Sequence, residues 1–178
     1  LKILILGIGN ILFGDEGIGV HLCNFLKLNY AFRGDHDIDI IDGGTMAQML
    51  IPIITSYDKV LILDCVSVDN EKIGEVYYFD FDNVPNTITW AGSAHEVEML
   101  QTLKLTQLLG DLPPVKIIGI VPQVIGEQTA FRLSEEVKKG AVVAEKLAVG
   151  YLLDLGVEVE KIGNKDLQEI ANFSFRGY

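Results

Sequence analysis

Cationic side chains are scarce in this chain. Its 178 residues carry 14 Lys and Arg against 25 Asp and Glu, a formal net charge of -11. Nucleic acid and anionic membrane surfaces both require clustered positive charge, so neither is expected as a partner. Cysteine is scarcer still. Cys23, within an apolar helical pattern, and Cys65, after a buried strand, read as core residues rather than a disulfide framework, which fits a reducing cytoplasm. The apolar opening stops at Gly7, too soon to cross a bilayer, and shows neither a basic leader nor a small-residue cleavage site. It reads as a strand, and we expect a cytoplasmic protein. Paired helical histidines of the zinc-peptidase kind are missing, as are repeats, linkers and low-complexity segments. No Ser-His-acid or Cys-His arrangement is compelling either, because Cys65 abuts Asp64 yet should point to the opposite face of the strand.

What is present is an alternation of strand and helix signals. Lys2 to Leu6 and Asp58 to Cys65 are continuous apolar runs, as expected of parallel strands buried on both faces, and Asp37 to Ile41 and Val115 to Val121 complete a parallel set. Gly74 to Phe81 alternates instead and suits an antiparallel edge strand. Ile18, Leu22, Phe25 and Leu26 recur at helical spacing; a capping box at Ser93 and Glu96 opens a second helix, and Ser134 to Leu155 is the longest. Thr45 is a natural cap for Met46 to Ile54, a pattern that Pro52 should shorten. Asp82 to Gly92 and Pro122 to Ala130 read as loops. The expected fold is a three-layer α/β sandwich: a mostly parallel five-stranded sheet with helices on both faces and one antiparallel edge strand. Residues 1–157 form a single domain in this reading, and 158–178 a partly ordered tail.

Chemistry concentrates where parallel strands would end together, the edge at which open α/β sheets build their sites. The loop after the first strand ends in adjacent carboxylates, Asp15 and Glu16. Asp15 is placed to cap the following helix, which leaves Glu16 projecting near the sheet edge. Asp64 ends another strand. His95 is the second residue of its helix, against the positive end of the helix dipole, which disfavours imidazolium and keeps a nitrogen lone pair free for metal. One glutamate, one aspartate and one histidine supply an O,O,N set that leaves open positions on a divalent ion such as zinc or nickel, the pattern of a catalytic site. Gly7 and Gly9 invite a dinucleotide reading, but the third glycine of that fingerprint falls on Leu12, so no nucleotide cofactor is expected.

The ordered set Gly7-x-Gly9-Asn10, Gly14-Asp15-Glu16-Gly17-x-Gly19, Asp42-Gly43-Gly44-Thr45, Asp64 and Ser93-x-His95 resembles the hydrogenase maturation endopeptidases. These proteases remove a C-terminal extension from the large subunit of nickel-iron hydrogenases. The resemblance implies that Glu16, Asp64 and His95 are the catalytic, metal-contacting groups, and that Asn10, Asp15, Asp42, Gly43, Gly44 and Thr45 shape the cleft. It also implies that the partner is a hydrogenase large-subunit precursor and that the relevant metal is the nickel this substrate carries. By ligand preference zinc or cadmium can occupy the same groups. The protease is expected to act as a monomer. The pattern departs from the family at Glu16, where aspartate often stands, and at Ala47, where glycine is expected. Two other readings stay open: a self-sufficient metal-dependent hydrolase of small molecules, and a non-catalytic chaperone of the nickel-bearing precursor.

Overall fold

The computed structural model describes residues 1–70, 72–89, 94–125 and 128–178, with the side chains of 47, 48, 89 and 94–97 left outside that description. Five strands form the central sheet: β1 (Lys2–Ile8), β3 (Asp37–Gly44), β4 (Lys59–Cys65), β6 (Val76–Asp80) and β8 (Val115–Ile120). Their order is β3-β1-β4-β8-β6, parallel except for β6, which runs antiparallel to β8 at one edge. The alternation in the 74–81 segment had pointed to this edge strand. Two short antiparallel pairs flank the sheet. One joins β2 (Tyr30–Arg33) to β9 (Glu158–Lys161), and the other joins β5 (Ser67–Val68) to β7 (Ile88–Thr89). The second pair corrects the reading of 82–92 as loop throughout, since a strand of two residues is too short to leave a period in the sequence.

Helices cover both faces. On one, α1 (Ile18–Asn29) and α4 (Glu135–Asp154) pack Leu22, Leu26, Ala141, Ala144 and Leu152 against Ile3, Ile5, Leu61, Leu63 and Ile118. On the other, α2 (Ile51–Ile54) and α3 (Ala94–Leu108) set Ile54, Met99 and Leu103 against Leu4, Leu6, Val60, Ile62 and Ile117. The odd and even residues of β1 therefore serve opposite cores, which is why that strand reads as an unbroken apolar run. Each such side chain, fully buried, contributes about 1.5–3 kcal/mol. Cys23 and Cys65 are buried in the first of these cores and form no disulfide. Pro52 lies in the first turn of α2, and a 3-10 turn over Ala47–Leu50 precedes it, so the helical pattern of 46–54 is broken as expected.

The tail is more ordered than its weak pattern suggested. Beyond β9 it forms α5 (Leu167–Phe173) and a closing 3-10 turn, both lying against α1. Buried Asn29 clamps it: the side chain donates to the Lys165 carbonyl (3.1 Å) and accepts from the Lys165 amide (2.7 Å), while its own carbonyl accepts from Ile162 (2.8 Å). Further along, the Ser174 hydroxyl meets His21 Nδ1 at 2.8 Å and accepts from Asn24 Nδ2. This order comes from partners some 130–150 positions away, so local periodicity carries no sign of it. Among the described residues no helix is long and apolar enough to cross a membrane.

Candidate active site

The site is built where β1 and β4 end and α1 begins. Parallel register sets Gly7 beside both Asp42 and Leu63, and Asp64 beside Gly119, so the ends of four strands lie along one edge. Helix α1 approaches that edge very closely. A Cβ on Gly19 would stand 2.2 Å from the carbonyl oxygens of Ile8 and Leu63, so only glycine lets the helix sit across both strand ends. Gly9, at φ +153°, adopts a conformation that disfavours other residues, and its amide donates to the Gly44 carbonyl at 3.0 Å. The Asp42-Gly43-Gly44 turn is closed by the Gly44 amide donating to Asp42 Oδ1 at 2.9 Å. Asn10 holds the loop from inside: its side-chain oxygen accepts from the Leu12 amide at 3.0 Å. Thr45 is exposed just beyond the turn.

Glu16 lies in a 3-10 turn, Gly14–Gly17, that leads into α1. Its carboxylate is half-buried, and partial desolvation raises its pKa above the ordinary 4.5. Its backbone carbonyl accepts from the Asn10 amide (3.2 Å) and lies 4.0 Å from Cys65 Sγ. Asp64 adjoins that cysteine and is almost wholly buried; its Oδ1 accepts from the Cys65 amide at 2.7 Å. Cys65 itself belongs to the α1 core, so Asp64 faces the other way, toward the side of the sheet that α3 covers. The Glu16 turn thus touches the end of β4 at Cys65, on the face opposite to the Asp64 side chain. His95 is the second residue of α3, as read from sequence, but its side chain, with Ser93 and the capping contact of Glu96, lies outside the described residues. Among the described residues no three His, Cys, Asp or Glu groups form a metal-binding cluster.

Asp15 does not cap α1. The helix starts at Ile18 with Gly17 as its N-cap and no side-chain cap, and the Asp15 carboxylate turns instead into the protein. There it accepts from the Gln123 amide (2.9 Å), the Ser134 amide (2.8 Å) and the Ser134 hydroxyl (2.6 Å). It pins the loop after β8 and the cap of α4 to the Glu16 turn. With three donors on one buried carboxylate, Asp15 is fully engaged and is not a free general base. Gln123 and Ser134 were not singled out from sequence; Ser134 was visible only as a helix start, a role it also fills through the Val137 amide. His21 was likewise passed over. It is fully buried, its Nε2 has no partner among the described residues, and burial lowers its pKa from 6.5 to about 4.

The sequence profile of the family described as hydrogenase maturation protease matches residues 20–150. The chain is also 59% identical over 159 residues to Protein HydD of Wolinella succinogenes, an alignment covering 89% of this chain and all of that one. The chain belongs to the hydrogenase maturation proteases. This maturation protease is 29% identical to the hydrogenase 2 maturation protease of Escherichia coli, over 69% of its own length and 74% of that protein's. Its fold superposes on the hydrogenase maturating endopeptidase HybD from Escherichia coli with a TM-score of 0.74 at 24% identity, covering 90% and 98% of the two chains. The [NiFe] hydrogenase maturation protease HybD from Thermococcus kodakarensis gives 0.65 at 27% identity, over 85% and 99%. The maturation protease is accordingly a peptidase built on the five-stranded mixed sheet of its relatives.

Proposed function

We propose that this chain is the endopeptidase that removes the C-terminal extension from a nickel-loaded hydrogenase large-subunit precursor. The observation that carries the reading is the contact of the Glu16 turn with the end of β4, next to Asp64 in sequence, in a chain of this family. Glu16, Asp64 and His95 approach the nickel that the precursor brings. Held between the precursor and these groups, the ion fixes the scissile segment against the strand ends, and its charge polarises the scissile carbonyl or a water molecule. Hydrolysis adds that water across the peptide bond: hydroxide to the carbonyl carbon, the proton to the departing amine. Glu16 suits such a site because a half-desolvated carboxylate with no cation paired to it among the described residues gains most from an arriving one. Zinc or cadmium would take the same oxygen and nitrogen donors and compete for them.

The protein acts on this reading as a monomer in the cytoplasm, with the precursor as its partner. Incubating purified protein with nickel-loaded and with nickel-free precursor, followed by intact mass, tests it. Loss of the extension from the loaded form alone is expected. Cleavage of both forms, together with stoichiometric zinc in the isolated protein, would point instead to a self-sufficient metallopeptidase. No mass change in either form would leave a chaperone.

A further inference from the structure

Strand β3 is an edge strand whose outer side is open. The Asp37 amide donates to the Leu1 carbonyl, so by the period of two the peptide groups of Asp37, Asp39 and Ile41 turn toward β1, and those of Ile38, Ile40 and Asp42 turn outward. Among the described residues no strand pairs with that outer side. A groove of about 560 Å³ runs along it, with Tyr30, Phe32 and Tyr57 among its walls. The strand leads straight into the site: beyond Asp42 come Gly43 and Gly44, and the Gly44 carbonyl holds the Gly9 amide of the loop that presents Glu16.

We propose, building on the endopeptidase reading above, that the precursor's C-terminal segment binds as an added strand on β3. Unpaired peptide groups on an edge strand are a template for an extended chain, and aromatic walls take its side chains. Charge selects the occupant. Lys27 lines the groove and Lys2 lies over the Tyr57 ring, but the exposed carboxylates of Asp37, Asp39 and Asp42 outnumber them in a protein of net charge -11, so a second copy is repelled and an extended segment bearing Lys, Arg or His is favoured. The added strand would carry the scissile bond to the strand ends, where the Glu16 turn lies against β4.

Residue-resolved amide exchange tests this, using the intact protein and a synthetic peptide that copies the precursor's extension and the residues before it. The amides of Ile38, Ile40 and Asp42 should slow on peptide addition, while those of Asp39 and Ile41, already bonded to β1, should not change. In parallel, Ile40→Pro removes one outward donor at an edge position that tolerates proline. It should raise KM for nickel-loaded precursor about tenfold, the loss of roughly 1.4 kcal/mol, with kcat nearly unchanged. If wild-type protein cleaves the precursor yet the three outward amides exchange at their free rate, the β3 assignment is overturned and the endopeptidase reading stands. Absence of cleavage by wild type removes both. Should Ile40→Pro fail to fold, the exchange pattern decides alone.

Discussion

The Asp15 carboxylate holds Ser134 twice, at the amide (2.8 Å) and the hydroxyl (2.6 Å), across 119 residues of chain. That bridge ties the start of α4 to the turn carrying Glu16, so the position of the candidate ligand depends on a helix on the far side of the sequence. Asp15→Asn keeps the shape but turns an amide group toward donors. It should cost roughly 3 kcal/mol of stability, read as a lowered denaturant midpoint, and should slow precursor cleavage as the Glu16 turn loosens.

The three candidate ligands should separate by their burial. Each of Glu16→Gln, Asp64→Asn and His95→Ala is expected to cut cleavage of nickel-loaded precursor by at least ~100-fold, the usual scale for removing a charge-stabilising group at a reacting centre. Glu16→Gln should melt close to the parental temperature, because the carboxylate is half-exposed and free of partners among the described residues. Asp64→Asn should melt lower, since Asp64 is buried and bonded to the Cys65 amide. Parental cleavage rates in the triple variant would remove all three from the site.

Gly19 should resist any substitution. In Gly19→Ala the new methyl would meet two strand-end carbonyls at 2.2 Å, backbone atoms that cannot step aside. Helix α1 must then lift from β1 and β4, carrying the Glu16 turn with it. A stability loss of about 3 kcal/mol or more is expected in chemical denaturation, together with loss of cleavage.

Acid sensitivity should trace partly to His21. Its folded pKa, about 4, lies below the ordinary 6.5, so between these values the unfolded chain binds the proton and the native protein does not. The stability that neutral burial preserves is complete above pH ~6.5 and is lost progressively as pH falls toward 4, by up to roughly 3 kcal/mol. Glu16 works in the opposite sense. Its raised pKa gives a contribution present below its ordinary 4.5 and lost as pH rises through the higher folded value. Denaturation midpoints between pH 4 and 7 should therefore fall less steeply for His21→Gln than for the parent. An identical slope would assign the acid limb to other groups.

Metal should travel with the substrate. Protein purified through chelator-treated buffer is expected to hold well under one equivalent of metal, since Glu16, Asp64 and His95 offer no thiolate. Added zinc or cadmium should inhibit cleavage of nickel-loaded precursor and fail to activate the nickel-free form. Metal analysis beside the cleavage assay reads both effects, and zinc activation would reverse the assignment.

Sequence by itself determined the layers of this protein. The unbroken apolar runs of β1 and β4 required strands buried on both faces, the alternation of β6 marked an edge, and the glycine-flanked Asp15-Glu16 pair, Asp64 and His95 stood out as the candidate site. These features are legible because each is written in residues adjacent or near in the chain. Tertiary structure alone decided what the groups do to one another. A local reading gave Asp15 to the helix that follows it, whereas the folded chain gives it to Ser134 and Gln123. The same holds for His21 with Ser174, and for the tail clamped by Asn29. A buried polar group must find a partner or lose several kcal/mol, and which partner it finds is fixed by folding elements together across more than a hundred residues, a distance over which no periodicity carries information.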